Sequence, residues 1–164
     1  MKYVILFLQY LKEHQLFEYD DLAAKTDAAT ERFHTLAGVI QQTEAELSRV
    51  SDLMAAVVQY AKTRPAFDGY KAAKYSRKYL AEHEAELADY RAAKATMAEL
   101  LGGEKLPKMD VLKEKRRRLA ARKKALYLEY RKAQQDMREL VAVKGSVDHL
   151  RGLTDNQRNK EQAR

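Results

Sequence analysis

The side chains able to do chemistry are few and dispersed. Four histidines stand at positions 14, 34, 83 and 149, so none shares a helix face or a strand with another in the way that paired metal-binding imidazoles do. Cysteine is absent, which removes disulfides, thiolate metal sites and zinc fingers and is compatible with a reducing cytoplasm. Glu82-His83-Glu84 is the one tight cluster of acids with an imidazole. Consecutive residues point to different sides of a helix, so it reads as solvated surface, with His83 also in line with Leu80 and Leu87. Gly102-Gly103-Glu104-Lys105 lacks the preceding strand and the Gly-Lys-Ser/Thr ending of a phosphate loop, and reads as a helix stop. Of ten tyrosines, Tyr60, Tyr70, Tyr75, Tyr79 and Tyr90 fall near expected helix joins; with no base or metal to activate a nucleophile, they read as packing rings with a hydroxyl at the edge. No catalytic residue, metal ligand or cofactor is expected, and the chain is not expected to be an enzyme.

The remaining chemistry is charge. Residues 1–100 hold 13 Lys/Arg against 15 Asp/Glu, a net of −2, whereas residues 101–164 hold 18 against 9, a net of +9. The basic character is concentrated at 113–132, where Lys113, Lys115, Arg116, Arg117, Arg118, Arg122, Lys123, Lys124, Arg131 and Lys132 face only Glu114 and Glu129. On a helix these charges wrap most of the circumference, and neighbouring like charges left unpaired cost stability. Contact with phosphates would relieve that repulsion, and the run is the candidate nucleic-acid-binding surface. Nothing in it suggests a code for bases, so binding would be largely independent of sequence and steeply dependent on salt. The alternative is that the run pairs with acids of the first half, Glu31, Glu44, Glu46 and Asp52, across a helical interface.

The elements that must position these charges are helices. Gly and Pro number only 6 and 2 in 164 residues, and the 34% of charged side chains exceeds what a compact globule usually carries. Leu22, Thr26, Ala29, Phe33, Leu36, Ile40, Thr43, Leu47, Val50, Met54 and Val57 step by four and three, a heptad seam. Asp20 and Asp21 mark its start, and the pattern predicts a helix of about 60 Å that ends before Pro65. Its partner begins after Pro107, with Leu112, Arg116, Leu119, Lys123, Leu126, Tyr130, Ala133, Met137 and Leu140, then Val143, Val147 and Leu150 in a shifted register. The stems of Arg116 and Lys123 can lie along apolar surface. The reading is an all-α chain: an elongated antiparallel coiled-coil hairpin of two long helices with shorter helices packed on it. A single helical domain over 1–152 contains helices at about 1–15, 20–62, 65–73, 76–101 and 108–151, Ser76 capping the fourth, and 153–164 forms a basic, disordered tail. Thr26, Ala29 and Thr43 weaken the seam, so a third helix covering it or a homodimer pooling exposed stripes both remain open. The apolar start, Tyr3 to Leu11, is too short to span a bilayer and has no cleavage site after it, so it reads as a first helix rather than a signal peptide.

The segments LQYLKEHQLFEYDDLAAK, VVQYAKTRPAFDGYKAAKYSRKYLAEHEAELADYRAAKATMAELLGGEKLPKMDVLKEK and LYLEYRKAQQDMRELVAVKGSVDHL resemble the carboxy-terminal region of mobilisation relaxases from Gram-positive conjugative or mobilisable elements. The likeness covers nearly the whole chain and is carried by Tyr75-Ser76-Arg77-Lys78-Tyr79-Leu80-Ala81-Glu82-His83-Glu84, Leu106-Pro107 and Glu129-Tyr130-Arg131. It implies a parent nickase whose amino-terminal nuclease domain, with its tyrosine and histidine-bound metal, has no counterpart here; Met1 opening partway into the similar text points to truncation. The resemblance further implies a cytoplasmic accessory module that holds DNA, supports relaxosome assembly or docks on a coupling protein. The reading from the residues agrees on a non-catalytic module binding the DNA backbone. Its alternative is a coiled-coil scaffold that recruits a protein partner or a second copy without touching DNA.

Overall fold

The computed structural model describes residues 2–13 and 19–163. Every regular element among them is helical: α1 (Lys2–Glu13), α2 (Tyr19–Ala72), α3 (Arg77–Glu82), α4 (Glu84–Leu101) and α5 (Met109–Gln162). The all-α expectation built on two long helices is met, α2 and α5 each having 54 residues. Met1 and residues 14–15 of the expected first helix, and Arg164 of the expected tail, lie outside the described residues.

The chain divides into two compact units, one of Gln41–Lys124 and one of Met1–Ile40 with Ala125–Arg164, where the sequence reads as one domain. A narrow heptad stripe binds only its immediate neighbours, and each stretch of α2 and α5 finds a different third helix. In the Gln41–Lys124 unit that helix is α4. Val50, Leu53 and Met54 of α2 form a buried cluster with Leu112 and Leu119 of α5, and Met97, Leu100 and Leu101 of α4 pack against it. Leu87, Tyr90 and Ala93 are the buried stripe of α4, spaced at three residues as one helix face requires. The weak point of the seam, Thr43, is buried. In the other unit the third helix is α1, whose Tyr10 lines a trough with Ala28 and Ala29 of α2 and Ala133 of α5. There Leu22, Leu36, Ile40 and Ala133 are buried, and Phe33 stacks on Tyr130 at 4.9 Å. Tyr19 donates its hydroxyl proton to Asp148, and the Arg151 guanidinium lies 3.9 Å over its ring, which sets α2 and α5 antiparallel in this unit. Buried Thr26 bonds the Leu22 carbonyl at 2.7 Å, one turn back, so the hydroxyl in the seam is satisfied.

Four local expectations are corrected. The separate helix at 65–73 does not exist, because α2 runs through Pro65 to Ala72. Proline inside a helix costs about 3 kcal/mol. Burial of Ala66 and the near-parallel stack of Phe67 on Tyr90, 4.4 Å apart, offset it, and the Thr63 hydroxyl bonds the Gln59 carbonyl at 2.7 Å just before the proline. The helix expected at 76–101 is split at His83, which closes α3 and opens α4. Ser76 holds the N-cap position of α3 in extended geometry, but its hydroxyl makes no capping bond. Gly102 ends α4 as expected, in the left-handed region at φ 56°. Finally, α5 continues to Gln162 instead of giving way to a disordered tail at 153, since the stretch after Gly152 is rich in helix formers and has no proline.

Candidate functional site

The ten basic residues proposed for phosphate contact are divided between the units. Lys113, Lys115, Arg116, Arg117, Arg118, Arg122, Lys123 and Lys124 belong to the Gln41–Lys124 unit, and Arg131 and Lys132 to the other, where both are exposed. In the first group the seam of α5 is marked by buried Leu112 and Leu119 and half-buried Lys123. At 100° per residue, Lys113, Arg117 and Lys124 fall on one flank of that seam and Lys115, Arg118 and Arg122 on the other. Arg116, expected in the seam, is exposed instead. With α4 supplying Met97, Leu100 and Leu101 to the core there, the interface closes without its stem.

Two of the eight are engaged. Lys123 meets Glu44 of α2 at 3.3 Å, among the described residues the one cross-helix pair of the kind the charge-pairing alternative requires. Arg117 grips Glu114 one turn back through two bonds of 2.8 and 3.1 Å, which holds the Glu114 carboxyl below the usual carboxylate range and raises the guanidinium further. Among the described residues, Lys113, Lys115, Arg116, Arg118, Arg122 and Lys124 have no ion-pair partner. Nor do Glu46 and Asp52, both exposed on α2. Glu31 lies in the other unit and makes no ion pair with Arg131 or Lys132. Pairing within the hairpin therefore neutralises one position of the run and leaves six cations facing solvent from a helix anchored by its apolar stripe.

Packing of the five tyrosines near the helix joins also follows the expectation, with one exception. Tyr60 and Phe67 of α2 stack on buried Tyr90 of α4, and burial together with the Tyr60 hydroxyl raises the Tyr90 phenol above its ordinary value. Tyr79 stacks on Tyr70 and on His83, and its hydroxyl donates to the Ala66 carbonyl at 2.9 Å. Gly69 makes this possible, because a Cβ there would overlap the Tyr79 hydroxyl. His83 is thus half-buried against a ring, as its place in line with Leu80 and Leu87 suggested, while Glu82 and Glu84 are exposed as solvated surface. The exception is Tyr75, which is 58% exposed. No sequence signal marked it, since its exposure follows from a left-handed backbone that Lys and Tyr do not advertise.

Among the described residues no group of three His, Cys, Asp or Glu side chains stands close enough to hold a metal ion, and no helix is long and apolar enough to cross a membrane. His34, His83 and His149 are described, and His14 lies outside the described residues. No protein-family model, no curated protein and no solved structure matches the chain.

Proposed function

We propose that this chain is a non-catalytic helical module that holds nucleic acid by its phosphate backbone through the basic face of α5. The carrying observation is the group of six exposed cations without ion-pair partners, Lys113, Lys115, Arg116, Arg118, Arg122 and Lys124, on one rigidly packed helix. Their mutual repulsion is relieved when phosphates replace water and salt ions around them, and release of condensed counterions supplies the affinity. Arginines grip phosphate in forked geometry and lysines act as point charges; with no base edge addressed, the register along the strand is free. Resemblance to the carboxy-terminal region of mobilisation relaxases supports a place for this module as the DNA-holding arm of a cytoplasmic mobilisation protein, beside a relaxosome or coupling protein.

The test is fluorescence anisotropy of labelled single- and double-stranded DNA between 50 and 200 mM salt. A backbone that reaches one flank of α5 meets about three cations, which gives a logarithmic salt slope near −3 and a loss of about 40-fold over that range. Engagement of both flanks doubles the slope and raises the loss to about 2,000-fold. Changing the six residues to Gln, with the Lys123–Glu44 and Arg117–Glu114 pairs kept, should abolish duplex binding without loss of helicity. Absence of binding by the unaltered chain at 50 mM salt would sink the proposal.

A second reading, protein docking or self-association, is favoured by α1, whose Tyr3, Val4 and Leu6 are exposed, Tyr3 at 86%. Sedimentation of the chain alone tests it: a concentration-dependent dimer that dissociates on Val4→Glu and Leu6→Glu substitution supports this reading, and a monomer at all concentrations removes self-association.

A further inference from the structure

We infer that the turn joining α2 to α3 is a contact for unpaired nucleic-acid strands, in which the Tyr75 ring stacks on a base while Lys74, Arg77 and Lys78 hold the flanking phosphates. This surface is separate from the basic face of α5 and does not depend on it.

The backbone is the first observation. α2 closes with bonds from the Tyr75 N–H to the Tyr70 carbonyl and from the Lys74 N–H to the Lys71 carbonyl, each 3.0 Å, a pattern that demands a left-handed residue and usually recruits glycine. Here the left-handed positions are Lys74 at φ 51° and Tyr75 at φ 59°. The same chain places Gly102 and Gly103 at φ 56° and 89° where it ends α4, so glycine serves where only the turn matters. Two large side chains in a conformation that disfavours them are retained at a cost, and such strain gathers where a side chain is aimed at a ligand.

What the turn accomplishes is the second observation. It puts Tyr75 at the outer end of the Tyr70–Tyr79–His83 group of rings, leaving the ring 58% exposed. The ring is nonetheless braced: it meets Tyr70 at 5.2 Å and 86°, Tyr70 stacks on Tyr79, and Tyr79 is held by its bond to the Ala66 carbonyl and by His83 at 4.2 Å. A base that stacks on Tyr75 meets a surface already ordered, so little side-chain freedom is lost on binding.

Charge is the third observation. Residues 71–78, KAAKYSRK, contain four cations and no acid. Lys74, Arg77 and Lys78 are exposed and, among the described residues, have no ion pair; Lys71 leans toward the Phe67 ring at 6.0 Å, and the nearby Asp68 is engaged by Arg64 at 3.9 Å. An exposed aromatic ring flanked by cations matches a single strand, whose bases offer a π-face and whose phosphates follow at each nucleotide. A duplex keeps its bases stacked on each other and leaves the ring unused, and an acidic protein surface would use the cations without the ring.

The chain has no tryptophan, so Tyr75→Trp installs a single fluorescent reporter at the turn. In 50 mM salt its emission should be quenched by oligothymidylate and by oligouridylate, with the relative strength of the two separating DNA from RNA as the natural strand. Inorganic polyphosphate, a blunt duplex and polyglutamate should leave it unquenched. Tyr75→Ala should weaken oligothymidylate binding roughly five- to hundredfold, the range found for one stacked base, while Tyr75→Phe keeps it and duplex binding is unchanged in both. The quench should persist when the six α5 cations are Gln, so that failure of one surface is distinguishable from failure of the other. No quench by either oligonucleotide in a variant of normal helicity overturns the inference. Equal quenching by polyphosphate or polyglutamate overturns it as well, in favour of a general anion or acidic-protein surface.

Discussion

Two glycines lie in the interior of α2, and alanine at each should act in opposite directions. In an exposed helix interior Gly→Ala stabilises by about 1 kcal/mol. Gly38 has nothing within 4 Å of where a Cβ would stand, so Gly38→Ala should deliver that full gain. At Gly69 the added Cβ would overlap the Tyr79 hydroxyl and stand 2.9 Å from the ring carbon that bears it. The ring cannot withdraw freely, being stacked on His83 at 4.2 Å and tied to the Ala66 carbonyl at 2.9 Å. Displacing it loses a hydrogen bond worth about 1 kcal/mol and adds overpacking of about 1–3 kcal/mol. Against the helix-propensity gain, the net for Gly69→Ala is a loss of about 1–3 kcal/mol. Urea denaturation followed by circular dichroism measures both; at a slope of about 2 kcal/mol per molar, Gly38→Ala raises the midpoint by roughly 0.5 M and Gly69→Ala lowers it by roughly 0.5–1.5 M. In a Tyr79→Ala background the conflict is gone and Gly69→Ala should become stabilising, so the two sites couple. An upward midpoint shift for Gly69→Ala in the unaltered background would refute the close approach of Gly69 and Tyr79.

Three further outcomes follow from the same geometry. Leu87 of α4 is 1% exposed, and Leu87→Ala should cost about 2–5 kcal/mol, read as a lowered melting temperature. Lys74→Gly relieves a left-handed lysine and should stabilise by about 1 kcal/mol in urea, whereas Gly102→Ala, at a position that is left-handed by the same amount, should destabilise. The Asp148 carboxyl is held below the usual aspartate range, first by the Tyr19 hydroxyl and then by Lys144 at 3.0 Å. Because the folded state favours its ionised form, its contribution to stability is present above the ordinary carboxylate range and is lost as pH falls through the depressed value. Asp148→Asn should therefore reduce the acid sensitivity of the melting temperature, and a carbon-13 titration of the Asp148 carboxyl with an ordinary midpoint would contradict the Tyr19 contact.

The seam of α2 was legible from spacing alone: its eleven positions from Leu22 to Val57 are all buried or half-buried, because a step of four and three keeps a residue on one helix face whatever it packs against. The stop at Gly102-Gly103 was legible for the same local reason, a backbone conformation that glycine adopts without strain. The basic run was visible as composition, but spacing put Arg116 in the seam and could not tell paired cations from unpaired ones. Pairing is set by distances between helices, and among the described residues those bring only Lys123 of the run to an acid on the facing helix. The continuation of α2 through Pro65 was likewise hidden, since the compensation comes from Tyr90, 25 positions away in the chain. Tyr75 looked like its neighbours because a ring's exposure depends on the turn that carries it, and that turn is held by contacts among Tyr70, Tyr79 and His83. Which faces of the helices are apolar was thus determined by residue order, through the 3.6-residue turn. Tertiary structure decided which helix breakers are overridden and which charges and rings remain free to bind, because each of those outcomes depends on neighbours that meet only when the helices pack.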